Sequence, residues 1–515
     1  MTPLKVRQYG KGTPKRILCV VPPHPESFWT MDGMVGLFGS KCLIPNAAFP
    51  LLMALTPKDV CVEYMLADEN VSTLDWATPC DLVAITGNTL HAKRISELCQ
   101  GFRKRGVPVA LGGTYASLWA DQCRDLADYL FIGEAEHTWP RFLLDWTNGT
   151  PQSVYHQDVH IDLKNTPAPD WSLIEINDYV NLSVQTSRGC PNQCDFCDVI
   201  QFVGRRYRTK SVEQIMTEVK AAHQAGARSV FFSDDNFLGN REFTGKLLPE
   251  LIRWNAEQTR PLTFSTQITV QVADDEELLR QFADAKFSIF FLGVETPKKD
   301  CLEEIHKFHN LKRDLKERLH SITRHGIVPF IGLIVGFDHD DLDTFAIMED
   351  FLNDTNCPVA GISLLNAPKN TPLYNRLKAE GRLINEQGLI GEWQMTTNVI
   401  PKQMSRETLI QRYWELYLDV YSPGKFAMRL ERWLAEVEYF TDVYTKKKAD
   451  WKQYFRIYRM LHYYLVKADS ESRRHFLRNM RSTLKTNPKL LRRAIIMWAF
   501  YRHFRDFLIR NAPQN

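Results

Sequence analysis

Short apolar runs alternate with helix-length stretches along most of the chain, and together they predict strands and helices in turn. Residues 16–21 form an apolar run that stops at Pro22-Pro23, and similar runs follow at 60–66, 81–86, 107–111 and 129–132, with a helix-period stretch over 92–104. Runs that are apolar throughout, alternating with helices, imply a parallel sheet covered on both faces. A second series lies near 181–187, 228–233, 262–268, 287–294, 328–336 and 359–366, with helical periods such as 212–224 and 275–285 between. Six strand–helix units predict a partial (β/α)6 TIM-type barrel, open on one side. Beyond this the apolar positions recur only at helical spacing. The expected organisation is α/β. It has a Rossmann-like domain (1–140), a proline-bearing linker (141–180), the barrel (181–380) and a helical C-terminal domain (381–515).

Composition narrows the class. A chain of 515 residues calls for about three domains. Eleven scattered cysteines lack the close framework of a secreted disulfide fold, so reduced thiols and a cytoplasmic location are expected. The start has no apolar signal core, and no uncharged apolar run is long enough to span a bilayer. The net charge of +3 is unevenly spread, with 23 Lys/Arg against 11 Asp/Glu beyond residue 404. That basic region carries Trp414, Tyr417, Tyr421, Phe426, Trp433, Tyr439 and Phe440 among its charges. Basic aromatic helices can meet an anionic membrane surface, bind nucleic acid or pack on their own protein. The apolar centre of the last helix, flanked by Arg492, Arg493, Arg502 and Arg505, favours burial; no recognised RNA-binding motif is present, and nucleic acid is not an expected partner.

The candidate chemistry sits after the first barrel strand, in Thr186-Ser-Arg-Gly-Cys-Pro-Asn-Gln-Cys-Asp-Phe-Cys197. Cys190, Cys194 and Cys197 are one thiolate short of the four that close a [4Fe–4S] cluster, and the missing ligand leaves a position open for chemistry. The alternative is zinc with a fourth ligand from elsewhere, for which His156 and His160 are the nearest histidines.

This loop, with Arg188-Gly189 before it and Phe196 inside it, resembles the signature of the radical S-adenosylmethionine superfamily. The resemblance implies a [4Fe–4S] cluster on the three cysteines, S-adenosylmethionine on the open iron, and an external one-electron reductant such as flavodoxin or ferredoxin. Electron transfer in that family yields a 5′-deoxyadenosyl radical. Asp234 and Asp235 stand where the family has its Gly-Gly-Glu motif, so either could hold the amino group; a helix cap is the plainer reading. Thr266 and Gln267 suit the methionyl or ribose groups. Glu295 matches a position facing the ribose, and Gly332 and Gly336 match the adenine-binding strand, though glycine there could equally serve barrel packing. Arg208, with Arg205 and Arg206, is either a solvated basic run or a neutraliser of cluster and carboxylate charge.

The first region resembles the cobalamin-binding domain that precedes the barrel in one large subfamily. Its cofactor-binding candidates are Gly87, Asn88, Gly112, Gly113, Thr114, Tyr115, Gly133 and Glu134, all at predicted strand ends. The alternative for the Gly-Gly pair is a tight turn. The D-x-H-x-x-G motif of cobalamin mutases is absent, so a lower face without a histidine ligand is expected. Taken together the modules resemble cobalamin-dependent radical methylases, hopanoid-methylase-like members in particular. That implies C-methylation of an unactivated carbon in a hydrophobic, lipid-like or natural-product small molecule. Two S-adenosylmethionine molecules and methylcobalamin would be used, with peripheral contact at the inner membrane surface. The alternatives are a cobalamin-dependent cyclase or rearrangement enzyme, and an iron–sulfur or cobalamin sensor without turnover.

Overall fold

The computed structural model describes residues 4–384, 395–441 and 451–513. The first sheet contains β1 (Val6–Tyr9), β2 (Lys15–Val21), β3 (Val62–Asp68), β4 (Leu82–Thr86), β5 (Val109–Gly112), β6 (Tyr129–Ile132) and β7 (Val154–His156), in spatial order β1-β3-β2-β4-β5-β6-β7. Every pairing is parallel except that of β1 with β3. Alternate residues of β2 enter different cores: Leu18 and Val20 face one side, Ile17, Cys19 and Val21 the other. That two-sided burial is why the strand is apolar throughout. The chain leaves β2 on one side for β3 and returns on its other side for β4. The crevice at the C-terminal ends of β2 and β4 is therefore a topological switch point, where open α/β sheets bind ligands.

Two boundaries differ from expectation. The first domain does not stop at residue 140: the helix Thr138–Thr147 buries Trp139, Phe142 and Trp146 in its core, and β7 extends its sheet. Conversely, Phe28, Met31, Met34, Val35 and Leu37 belong to the core of the barrel. Apolar content marks both segments as buried without saying in which body.

After β8 (Leu182–Val184) comes a two-stranded ribbon, β9 (Ser187–Arg188) antiparallel to β10 (Arg208–Thr209). Then follow β11 (Ser229–Phe232), β12 (Thr263–Gln267), β13 (Phe287–Glu295), β14 (Val328–Val335) and β15 (Val359–Leu364). With β8 these form a six-stranded parallel sheet in chain order. The first barrel strand is shorter than the expected 181–187, because Ser187 and Arg188 leave it for the ribbon. Among the described residues β8 and β15 do not pair with each other, so the barrel has an open side.

The N-terminal segment and the C-terminal helices fill that side. Phe28 is fully buried, and a Cβ on Gly361 of β15 would lie 3.0 Å from its ring. His503, in the last helix (Leu491–Asn511), accepts from the Gly33 N–H at 3.2 Å and donates to the Phe28 carbonyl at 3.0 Å. Burial lowers its pKa to about 4, consistent with this neutral form. Exposed strand edges invite pairing with other chains. Here Tyr421 Oη covers the β15 edge, donating to Ala360 O at 2.8 Å and accepting from Ala360 N at 3.0 Å, while Tyr413 Oη donates to Ile362 O at 3.2 Å. Tyr417, Phe426, Trp433 and Trp414 are buried as well. These aromatics close the barrel; they are not a membrane face. Of the arginines that flank the apolar centre of the last helix, Arg493 donates to Ser288 O at 2.8 Å and Arg502 lies over the Tyr463 ring at 4.0 Å. No described helix is long and apolar enough to cross a membrane.

Candidate active site

The cysteine loop begins where β8 ends. Asp234, just past β11, accepts from the Thr186 and Ser187 N–H groups at 2.7 and 3.0 Å and from the Thr186 hydroxyl. Asp235 accepts from the Gly189 N–H at 3.1 Å. Gly189 has φ +95°, and a Cβ there would sit 2.3 Å from the Arg206 carbonyl, so the turn requires glycine. The Cys190 N–H then donates to Gly204 O at 3.4 Å, tying the loop to its return arm. Asp234 is thus a brace for the loop: both oxygens are used on it and the residue is 1% exposed. Burial pushes its pKa up to about 6 against the opposing effect of those donors.

Cys190, Cys194 and Cys197 are free thiols, partly buried, and close enough to influence one another electrostatically. Burial raises all three pKa values, that of Cys197 to about 12. A thiolate at this depth needs positive charge beside it. Lys307 supplies some: it is buried, lies 5.9 Å from the Phe196 ring centroid and is ion-paired with Glu295. Burial would depress its pKa, but Glu295 and then Cys194 draw it upward. Three reduced thiols at a parallel strand end, with a buried ammonium alongside, fit a thiolate-held iron–sulfur cube of net negative charge.

Glu295 closes β13 with φ +64°, in the left-handed region that costs a non-glycine residue energy and concentrates at functional positions. Asn310 Nδ2 holds the turn by donating to Gly293 O and Val294 O at 3.2 and 3.1 Å. A Cβ on Gly293 would meet Glu295 Oε1 at 2.4 Å and Lys307 Nζ at 2.7 Å. Glycine there lets the ion pair fold back over the strand end. Gly332 is in register with Gly293 and Gly361 across β13–β15. Gly336 (φ +115°) donates its N–H to Asp340 at 2.7 Å. Thr266 is buried, its hydroxyl donating to Phe232 O at 3.1 Å, whereas Gln267 faces the barrel cavity.

In the first domain the candidates gather around the switch point and the strands beside it. Gly113 has φ +92°, and a Cβ there would lie 2.6 Å from Gly87 O and 2.8 Å from Thr86 Oγ1. The turns after β4 and β5 therefore approach so closely that only glycine fits at position 113. Asn88 Oδ1 accepts from the Leu90 N–H at 3.0 Å, and Tyr115 is buried. Thr114 begins the short helix that follows Gly113. His91, which no motif singled out, accepts from the Asn88 N–H at 3.1 Å and shares a 3.0 Å hydrogen bond with His24. Burial lowers both pKa values and keeps the pair neutral.

Glu134 joins the two bodies. It stands after β6 and is bonded by Arg188 Nη1 at 2.8 Å, Arg208 Nη1 at 2.8–2.9 Å and the Ile161 N–H at 3.2 Å. Glu136 pairs with Arg188 at 2.6 Å. Burial alone would raise the Glu134 pKa, but the hydrogen bonds from Arg208 and Arg188 hold it at about 2. Two residues assigned from sequence to different cofactors, Glu134 and Arg208, are thus each other's partners. Arg188 and Arg208 flank the cysteine loop, so this carboxylate sets the C-terminal edge of one sheet against that of the other. The His24–His91 pair was missed because its partners lie 67 positions apart, and Lys307 because no motif marks the turn that brings it to Glu295.

A family model described as the radical SAM superfamily matches residues 184–352, and one described as a domain of unknown function, DUF4070, matches 371–514. Hopanoid C-2 methylase of Rhodopseudomonas palustris is 33% identical, over 73% of this chain and 72% of the relative. The chain belongs to the family of hopanoid C-2 methylase and carries a radical S-adenosylmethionine domain. An uncharacterized methyltransferase of Synechocystis sp. is 34% identical, over 80% of this chain and 77% of its own. Among solved structures, the cobalamin-dependent S-adenosylmethionine radical enzyme OxsB, with aqua-cobalamin and S-adenosylmethionine bound, matches with TM-score 0.62 at 14% identity, covering 97% of this chain and 80% of that one. Family membership makes the protein an enzyme of the methyltransferase kind and assigns a [4Fe–4S] cluster and S-adenosylmethionine to it.

Proposed function

We propose that the protein methylates an unactivated carbon of an apolar, lipid-like substrate, using two S-adenosylmethionine molecules and a cobalamin held by the first domain. The observation that carries this reading is the buried Glu134–Arg188–Arg208 seam, which sets the glycine-lined edge of the first sheet against the cysteine loop. Cys190, Cys194 and Cys197 hold the cluster. In this reading Asp235, Gln267 and the Glu295 turn bind S-adenosylmethionine, and Gly332 and Gly336 its base. The turns at Gly87, Asn88 and Gly112–Tyr115 hold cobalamin. When bound, the cluster and S-adenosylmethionine supply a primary carbon radical, and cobalamin supplies the methyl group. The protein's own work is to orient the acceptor carbon between them and to keep water out. The filled open side of the barrel suits that task.

The test is the product balance of the reduced, reconstituted protein with an apolar acceptor. Equal amounts of 5′-deoxyadenosine and S-adenosylhomocysteine with a methylated product support the reading. 5′-Deoxyadenosine without S-adenosylhomocysteine would point to ring formation or rearrangement, and neither product to a sensor. Because both nitrogens of His91 are engaged, the lower cobalamin face is expected to lack a histidine ligand. Electron paramagnetic resonance of the bound cofactor in its paramagnetic state should show no axial-nitrogen splitting; clear splitting would implicate His24 instead.

A further inference from the structure

A cavity of about 770 Å³ runs along the inside of the barrel. Phe231, Ile289 and Phe291 of its strands line it, and Trp29, Ile496 and Phe500 close it on the open side. Trp29 stacks on Phe330 at 5.7 Å and meets Phe291 edge-on at 4.9 Å. One end reaches Gln267, at the strand ends that face the cysteine loop; the other lies by the strand beginnings, where Arg228, Arg260, Lys489, Arg492 and Arg493 stand. The wall formed by β12 differs from the rest. Side chains alternate across a sheet, and Phe264 and Thr266 turn outward: Phe264 lies 5.3 Å from the Phe232 ring and 5.5 Å from the Phe287 ring, and Thr266 is buried. Thr263, Ser265 and Gln267 therefore face the cavity, each partly buried. In register with Ser265 stand Phe231 on β11 and Ile289 on β13. Small hydroxyl side chains thus occupy successive inward positions where barrels usually place branched apolar ones. Other hydroxyls in the wall are spent on the backbone, Ser229 donating to Val180 O at 3.0 Å and Ser288 to Phe264 O at 3.2 Å. Among the described residues no hydrogen bond engages the Thr263 or Ser265 hydroxyl.

Resting on the methyl-transfer reading above, we propose that the acceptor bound in this cavity carries hydroxyl or carbonyl oxygens along one edge of an otherwise apolar body, and that Thr263 and Ser265 select it by hydrogen bonding to them. While the cavity is wet, both hydroxyls can bond to water. An apolar acceptor that fills it expels that water, and a hydroxyl left without a partner in an apolar surrounding is costly. An acceptor with oxygens on the matching edge replaces the lost bonds; a pure hydrocarbon of the same shape cannot. A pocket built to hydrogen-bond an oxygen rejects the analogue lacking it for this reason. Residues two apart on a strand stand about 6.6 Å apart, so two oxygens at that order of spacing fix the acceptor's position along β12. Gln267, at the strand end, belongs to S-adenosylmethionine in the reading above, whereas Thr263 and Ser265 lie deeper. Holding the body of the acceptor there sets which of its carbons reaches the end that faces the cysteine loop.

The test is calorimetric titration of the full, cluster-reconstituted chain with androstanedione, a rigid apolar body bearing two carbonyls, and with androstane, the same skeleton without them, both delivered from cyclodextrin. Androstanedione should bind one to one and roughly tenfold or more tighter than androstane, as expected when two hydrogen bonds are made or left unmade. Thr263→Val and Ser265→Ala remove the hydroxyls with little change of volume. Each should cut the preference by roughly threefold to fivefold without weakening androstane. Equal affinity of the native chain for the two ligands, or an undiminished preference in Thr263→Val/Ser265→Ala, would overturn the oxygenated edge. Ile289→Trp, which fills the cavity beside Ser265, should weaken androstanedione. Binding indifferent to Ile289→Trp, or no binding of either ligand by the native chain, would overturn the cavity as the acceptor's seat. The comparison of the two ligands on the native chain needs no variant, so it decides the matter even where a replacement disturbs folding by circular dichroism. None of these titrations depends on catalysis, so their failure and that of the methyl-transfer assay are distinguishable.

Discussion

The seam between the two sheets and the far end of the barrel cavity both concentrate arginine, yet they are opposites. At the seam, Arg188 and Arg208 close on Glu134 and Glu136, and every charge has a partner of opposite sign inside the protein. At the far end, Arg228, Arg260, Lys489, Arg492 and Arg493 stand beside the apolar wall of the barrel cavity. Burying charge is costly unless it is paired. A protein that pairs charge internally, as at the seam, is fixing its own geometry.

The strongest way to break that contrast is at the loop the seam holds. Replacing any of Cys190, Cys194 or Cys197 by Ala should abolish the visible absorbance of the cluster and all cleavage of S-adenosylmethionine, while the unloaded chain keeps its fold by circular dichroism. A variant with full iron content and activity would remove the assignment, and with it the reason for bracing the loop.

Next is the seam itself. Glu134→Gln leaves two buried arginines without a full countercharge, which should cost about 3–5 kcal/mol in chemical denaturation of the unloaded chain. It should also reduce retained iron, because Arg188 and Arg208 flank the loop. Acid supplies an independent check. The Glu134 pKa falls from an ordinary 4.5 to about 2 on folding. A depressed carboxylate contributes stability that is complete above its unfolded pKa and is lost as pH falls through the folded one. The native chain should therefore lose this increment between about pH 4.5 and 2 and Glu134→Gln should not. Parallel acid curves for the two would show that the seam carries no such coupling.

These contacts also mark where sequence stops being legible. Strands such as β2 and β4 could be read because two-sided burial writes itself as apolar runs. The cysteine loop could be read because its three thiols lie within eight consecutive residues. Glu134 and Arg208 are 74 positions apart, and nothing local to either says that they meet. Lys307 lies in a short stretch with no motif and gains its meaning from a strand turn twelve residues earlier. The C-terminal aromatics carry the composition of a membrane face and of a core alike. Only the placement of β15 beside Tyr413 and Tyr421 decides between them.

A smaller effect is expected where one cation serves two partners. Lys307 faces one carboxylate and the cysteine sulfurs together. Lys307→Gln should lower the cluster's reduction potential, since a cation that offsets its negative charge is lost, and slow S-adenosylmethionine cleavage a few-fold without removing iron. The double variant Glu295→Gln/Lys307→Gln should recover part of the potential. If the single and double variants have the same potential as the native protein, Lys307 serves only the Glu295 turn.

The smallest effect concerns the surface beside the cavity's cationic end. The helix Trp451–His462 has two faces there: Ile457 and Met460 line the cavity, while Phe455 and Tyr458 point outward at 50% and 59% exposure. Leu465 and Val466 prolong the outward apolar face. Exposed aromatic and aliphatic groups beside cations are the usual makings of a reversible interfacial contact. If this face meets a bilayer, Phe455→Ser and Val466→Ser should each lower vesicle partitioning by roughly threefold to tenfold, since only part of each side chain's burial energy is realised at an interface. The loss should be insensitive to salt, since it is apolar burial and not charge that is removed. An unchanged partition coefficient in both variants would confine lipid contact to the cavity. The outward face of this helix would then be ordinary exposed apolar surface.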